Sequence, residues 1–294
     1  MLNDTNVLVL ALIGGIVPAL FWLWFWLRED RLRPEPKSAL LSAFNGGIIA
    51  VLLALFFELV IYYLLVEANP TSIKGFPDFL RLSLQYFSDS HNLVNSQTNF
   101  WGQVQDFFND SFNVKKGFLL IIIAPVVEEF LKLLLTYNIC LRRKINDEPV
   151  DASIYMLTAA LGFAAIETAL FLTSPLAKGQ FMDGFIAINF RSIGPMLIHL
   201  VSSATIGLFL GLAFYGGKIK KFFYLIIGFI SAIFLHSLFN FFIMLNDVTH
   251  NINYFWIACA GAWIFIIFLL VFFKKVKNIT SSIPVKRYLL ARKK

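Results

Sequence analysis

Residues 124–135 read APVVEEFLKLLL, which sets two adjacent carboxylates and an ammonium, Glu128, Glu129 and Lys132, inside a run that is otherwise nearly all apolar. What surrounds the run decides how to read it. Of 294 residues 58% are hydrophobic and only 15% charged, a usage far from that of a soluble domain and one that demands several membrane spans. Seven apolar segments are long enough to cross a bilayer as helices: 7–27, 39–66, 117–138, 151–173, 191–215, 222–245 and 252–273. No segment shows the short alternation of a barrel strand. The expected fold is therefore all-α, a polytopic bundle of seven transmembrane helices.

Lysine and arginine orient it. The connections 28–38, 139–150 and 216–221 and the tail 274–294 carry 18 of the 25 basic residues, while 67–116 carries four and 174–191 two. This alternation puts the N-terminus outside and the C-terminus in the cytoplasm. The expected organisation is one integral membrane domain over 1–294, with an extracytoplasmic loop at 67–116 and a basic cytoplasmic tail at 274–294. The net charge of +7 is then a topology signal and an anchor against anionic lipid, and it calls for no nucleic acid. The N-terminus MLNDTN lacks a positive leader, so no cleaved signal peptide is expected. Cys140 and Cys259 suggest neither a disulfide framework nor a metal knuckle.

A charge at mid-bilayer costs at least about 2.5–3.5 kcal/mol, so ionisable groups inside spans mark function by default. Besides the three in the third span, Glu58 lies in the second, Glu167 in the fourth, His199 in the fifth, and His236 with Asn240 in the sixth. Counted along the helices at about 1.5 Å per residue, Glu129, Glu167, His199 and His236 all fall in the outer half of the membrane. They are expected to face one cavity there. Glu128 and Lys132 are spaced i, i+4 and suit an intrahelical pair, with Glu129 rotated about 100° away. His236 and Asn240 share a helix face, as do His199 and Ser203. A desolvated carboxylate can take a proton from water, while imidazole and carboxamide can polarise a carbonyl and hold its oxyanion. These are the parts of a hydrolase. Glu58 has no motif around it and reads as a structural partner, Gly162 and Phe163 as helix packing, and Arg191 as an interfacial residue that snorkels.

The pattern resembles the PrsW family of intramembrane proteases, relatives of the CAAX-prenyl proteases. The family's E-E-x-x-K is met by Glu128, Glu129 and Lys132, its F-x-x-x-E by Phe163 and Glu167, and its histidine helices by His199 and by H-x-x-x-N at His236 and Asn240. The cytoplasmic stretches REDRLRPEP and NDEPVDASIY also look like the family's. In the CAAX-protease relatives the second motif carries histidine in place of Glu167. The resemblance implies an enzyme of the bacterial plasma membrane that cuts a membrane-embedded protein substrate near the extracytoplasmic side, in the best-known case an anti-sigma factor. In this reading Glu129 activates water, Glu128 pairs with Lys132, and His199, His236 and Asn240 orient water or stabilise the oxyanion. Glu167 is a second acid or ligand, and either of Glu128 and Glu129 can be the partner of Lys132.

Cofactor use stays open between two chemistries. Zinc would draw on His199, His236, Glu129 and Glu167, whereas metal-free glutamate and histidine catalysis needs no three ligands converging at about 2.0–2.2 Å and is favoured on that ground. Two other classes of function compete with the protease. A proton-coupled transporter also places acids and histidines in the membrane, but no inverted repeat is visible. A catalytically silent scaffold of the same fold could lose the acids, which this chain keeps.

Overall fold

The computed structural model describes residues 4–28, 34–66, 117 and 119–279. Among them every regular element is a helix: α1 Asp4–Leu27, α2 Lys37–Val66, α3 over 119–141, α4 Asp151–Ala177, α5 Phe181–Ile193, α6 Pro195–Leu212, α7 Lys218–Thr249 and α8 Asn253–Lys277. The chain is a polytopic helical membrane protein. Six of its helical segments are long and apolar enough to cross a bilayer, with α5 and α6 together forming one of them. The expected loop at 67–116 and most of the tail at 274–294 lie outside the described residues.

α3 carries Glu128, Glu129 and Lys132. Its α-helical part, Ala124–Thr136, is flanked by two wide π-turns, Leu119–Ile123 and Tyr137–Leu141. Pro125 has no N–H to give to the preceding turn, which accounts for the widening at the N-terminal side. The fifth expected span, 191–215, is corrected. The helix breaks at Gly194, where Pro195 cannot continue the ladder, so α5 is a separate short helix and α6 starts with the proline in its first turn.

α4 is the centre of the bundle and packs against α1, α2 and α6. Its run TAALGFAAIETA is built of small residues that let neighbouring backbones approach. The α2–α4 crossing is the tightest case: a Cβ on Gly47 would lie 1.8 Å from the Ala159 carbonyl oxygen, and one on Gly162 would lie 2.1 Å from that of Phe44. Gly47→Ala is therefore expected to force the two helices apart and destabilise the protein by about 1–3 kcal/mol. Thermal unfolding in detergent checks this, and an unchanged midpoint would contradict the packing.

Large apolar side chains on the outer helices, among them Val17, Phe21, Leu52, Phe223, Ile230 and Ile267, are exposed in the isolated bundle. Lipid is the solvent that makes such a surface stable. On the side assigned to the cytoplasm, the two short EP-containing stretches are tied to the start of α4. The Tyr155 hydroxyl donates to the Glu35 carboxylate, and Asp151 Oδ2 accepts from the backbone N–H groups of Asp147 and Glu148 at 2.7 Å each.

Candidate active site

Five helices, α3 to α7, deliver ionisable side chains to one polar cluster in the middle of an apolar core. Lys132 is its hub. The ammonium, with no exposed surface, donates to Glu129 Oε1 at 2.9 Å, to Glu128 Oε2 at 3.3 Å and to His199 Nδ1 at 2.9 Å. Its Nζ also lies 4.1 Å from the centre of the Phe163 ring, so Phe163 forms an aromatic wall of the site as well as packing between helices.

The two adjacent glutamates have different surroundings. Glu129 is fully buried and accepts from Lys132, from Ser202 at 2.9 Å and Ser203 at 2.6 Å, and faces His236 Nδ1 at 3.2 Å. Glu128 keeps 10% of its side-chain surface exposed and presents Oε2 to His199 Nδ1 at 3.5 Å and to His236 Nε2 at 3.9 Å. The i, i+4 pairing of Glu128 with Lys132 is present, but the shorter contact is the i, i+3 one to Glu129. A lysine long enough to reach across one turn meets both neighbours, which a spacing argument alone does not reveal.

Hydrogen-bond partners assign the histidine tautomers. Glu167 Oε2 accepts from Arg191 Nη2 at 2.7 Å and lies 2.9 Å from His199 Nε2, so Nε2 carries the proton and Nδ1 offers its lone pair to Lys132. Glu129 already accepts three hydrogen bonds, so His236 Nδ1 is the donor to it and Nε2 keeps a lone pair toward Glu128. The two rings stand edge to face, 4.8 Å apart. Asn240, one turn beyond His236 on α7, is half-buried.

The donors that converge are Glu128, His199 and His236, with one ligating atom from each within 4.8 Å of the others. Glu129 and Glu167, expected among the ligands of a metal, lie instead on the opposite ring nitrogens of the two histidines. In kind the three donors match a catalytic zinc site, and each imidazole has the carboxylate behind it that such ligands use. Lys132 breaks the match. Its buried ammonium takes the His199 Nδ1 lone pair and touches Glu128 Oε2, two of the three atoms an ion would need at about 2.0–2.2 Å.

Sequence reasoning misses three members of the cluster. Arg191 does not snorkel: its side chain is mostly buried and ion-paired to Glu167. Ser202 and Thr168 carry no motif that could single them out. For Arg191 a signal exists, because it stands at the outer end of the fifth expected span, on the same side of the membrane as Glu167, and its side chain is long enough to reach inward. Glu58 Oε1 is buried with no hydrogen-bond partner among the described residues, so the structural partner expected for that oxygen is absent among them.

Comparison with known proteins adds an independent line. The family model described as PrsW family intramembrane metalloprotease matches residues 93–273. "Protease PrsW" of Geobacillus kaustophilus (strain HTA426) is 24% identical over 234 residues, 80% of each chain. "Protease PrsW" of Clostridioides difficile (strain 630) is 30% identical over 141 residues, 46% of this chain and 58% of that protein. No solved structure matches.

Proposed function

Because the chain belongs to the PrsW family of intramembrane proteases, we propose that it hydrolyses a peptide bond of a membrane-embedded protein, near the extracytoplasmic side, with a water activated by Glu128 and His236. An anti-sigma factor is the substrate class that the family resemblance suggests. The observation that carries the reading is the asymmetry of the glutamate pair: Glu129 is immobilised by four neighbours, while Glu128 is the carboxylate with reach and access.

The chemistry follows from the two lone pairs. Water placed between Glu128 Oε2 and His236 Nε2 donates one hydrogen to each, which leaves an oxygen lone pair for the scissile carbonyl. Glu128 takes the proton as the C–O bond forms, and the carbonyl electrons move onto oxygen. In this reading the amide of Asn240, one turn beyond His236 on α7, donates to that oxyanion. Collapse of the intermediate breaks the C–N bond, and Glu128 returns its proton to the departing nitrogen. Lys132 anchors Glu129, Glu129 holds His236 with Nε2 toward the water, and Ser202 and Ser203 fix Glu129 in place. This assigns water activation to Glu128 in place of Glu129.

No step passes through a metal, since Lys132 occupies the atoms an ion would bind. Purified protein in lipid vesicles, treated with a chelator and shown by elemental analysis to hold no stoichiometric zinc, is expected to cut a transmembrane reporter peptide at the untreated rate. Stoichiometric zinc whose removal stops cleavage and whose return restores it would make Glu128, His199 and His236 ligands and refute this mechanism. Absence of cleavage by metal-replete and metal-free protein alike would favour a silent scaffold.

A further inference from the structure

Arg191 reaches the site from outside the helices that carry the family motifs. It sits on the last turn of α5, on the far side of the Gly194–Pro195 break from His199. Its Nη2 donates to Glu167 Oε2 at 2.7 Å, its Nε donates to Thr168 Oγ1 at 3.2 Å, and its guanidinium carbon lies 3.9 Å from the centre of the Phe171 ring. These three residues form one continuous patch of α4, so the guanidinium is held by charge, hydrogen bond and ring face at once. The oxygen it binds is the same one that faces His199 Nε2.

We propose that Arg191 is a positioning residue of the hydrolytic centre: by holding the Glu167 carboxyl in place as an acceptor it fixes His199 as the Nε2–H tautomer, which leaves Nδ1 to receive Lys132. The inference rests on the reading of this cluster as the catalytic centre. The physical need is specific. Glu167 has 24% of its side-chain surface exposed, more than Glu128, Glu129, Lys132 or Arg191, and without Arg191 it is free to turn toward water. With that acceptor gone from His199 Nε2, the ring proton is no longer held there and can sit on Nδ1. That proton would then face the Lys132 ammonium across 2.9 Å, donor against donor. Lys132 would have to withdraw, and with it the tether of Glu129. The effect of Arg191 thus travels through Glu167, His199 and Lys132 to the glutamate pair without any contact of Arg191 with substrate.

A simple staple between α5 and α4 would change stability and leave the histidine alone, so the test reads the ring. Full-length protein with ¹⁵N-labelled histidine is reconstituted in lipid, and the His199 tautomer is read by solid-state NMR beside kcat and KM on a transmembrane reporter peptide. Wild-type protein is expected to show the Nε2–H form. Arg191→Met is expected to move His199 toward the Nδ1–H form and to lower kcat by about 10- to 100-fold, with KM changed by less than about twofold. Arg191→Lys is expected to restore part of both. Arg191→Met/Glu167→Gln is expected to be no worse than Glu167→Gln alone, because the two act in series. If Arg191→Met fails to accumulate, this double variant, which removes both charges, carries the comparison. A wild-type tautomer with near-wild-type kcat in Arg191→Met, or fully additive losses in the double variant, would overturn the proposal. A tautomer shift in a protein that cuts nothing would instead refute the protease reading and leave the coupling standing.

Discussion

Glu128→Gln is expected to reduce cleavage by on the order of 10³-fold while leaving the folded protein in the membrane. The substitution keeps the shape of the side chain and removes its capacity to take a proton. Its other contacts are modest: one 3.3 Å bond from Lys132 and two longer approaches to the histidines. Glu129→Gln is the informative contrast. There a single substitution alters the anchor of a buried ammonium, two serine hydroxyls and one imidazole, so activity and thermal stability should fall together. Single-turnover cleavage and unfolding midpoints of the two variants separate the roles. If Glu128→Gln cuts at the wild-type rate while Glu129→Gln is stable and inactive, the assignment of the water-activating carboxylate is reversed.

Lys132→Met carries the largest expected cost in stability, about 3–5 kcal/mol, because it removes the cation from a buried cluster and strands the carboxylates that depend on it. Methionine matches the stem of lysine in length and apolar character, so the loss is one of charge. Glu129 would remain with no exposed surface and without its ammonium partner, and His199 Nδ1 would lose its hydrogen bond. The expected result is poor accumulation in membranes and a large drop in the unfolding midpoint. Adding Glu129→Gln should recover part of it by removing one unpaired charge. A Lys132→Met protein as stable as wild type would show that the carboxylates are protonated or hydrated in the folded state, and the hub role of Lys132 would be lost.

Much of this architecture is legible in the amino-acid sequence alone. Long apolar runs and the alternation of basic loops determine a helical membrane bundle, because unpaired backbone in lipid is too costly for any other solution. The same cost marks Glu128, Glu129, Lys132, Glu167, His199 and His236 as unusual, since each is expensive to bury alone. Helical spacing also places Lys132 beside the glutamates. What it cannot do is apportion them, because one lysine reaches both the i, i−3 and the i, i−4 neighbour and the shorter contact depends on how α6 and α7 close over α3.

Tertiary structure decides the rest. That Glu129 is the anchored carboxylate follows from Ser202, Ser203 and His236 meeting it across helix interfaces, at separations of 73, 74 and 107 residues that no periodicity encodes. That Arg191 belongs to the site follows from the break at Gly194–Pro195, which frees α5 to lay its last turn on α4. Sequence determines which side chains a bilayer will not tolerate alone, because transfer into lipid is a property of each residue. Which of them neutralise one another is a property of pairs, set by distances of about 3 to 4 Å that exist only once the helices have packed.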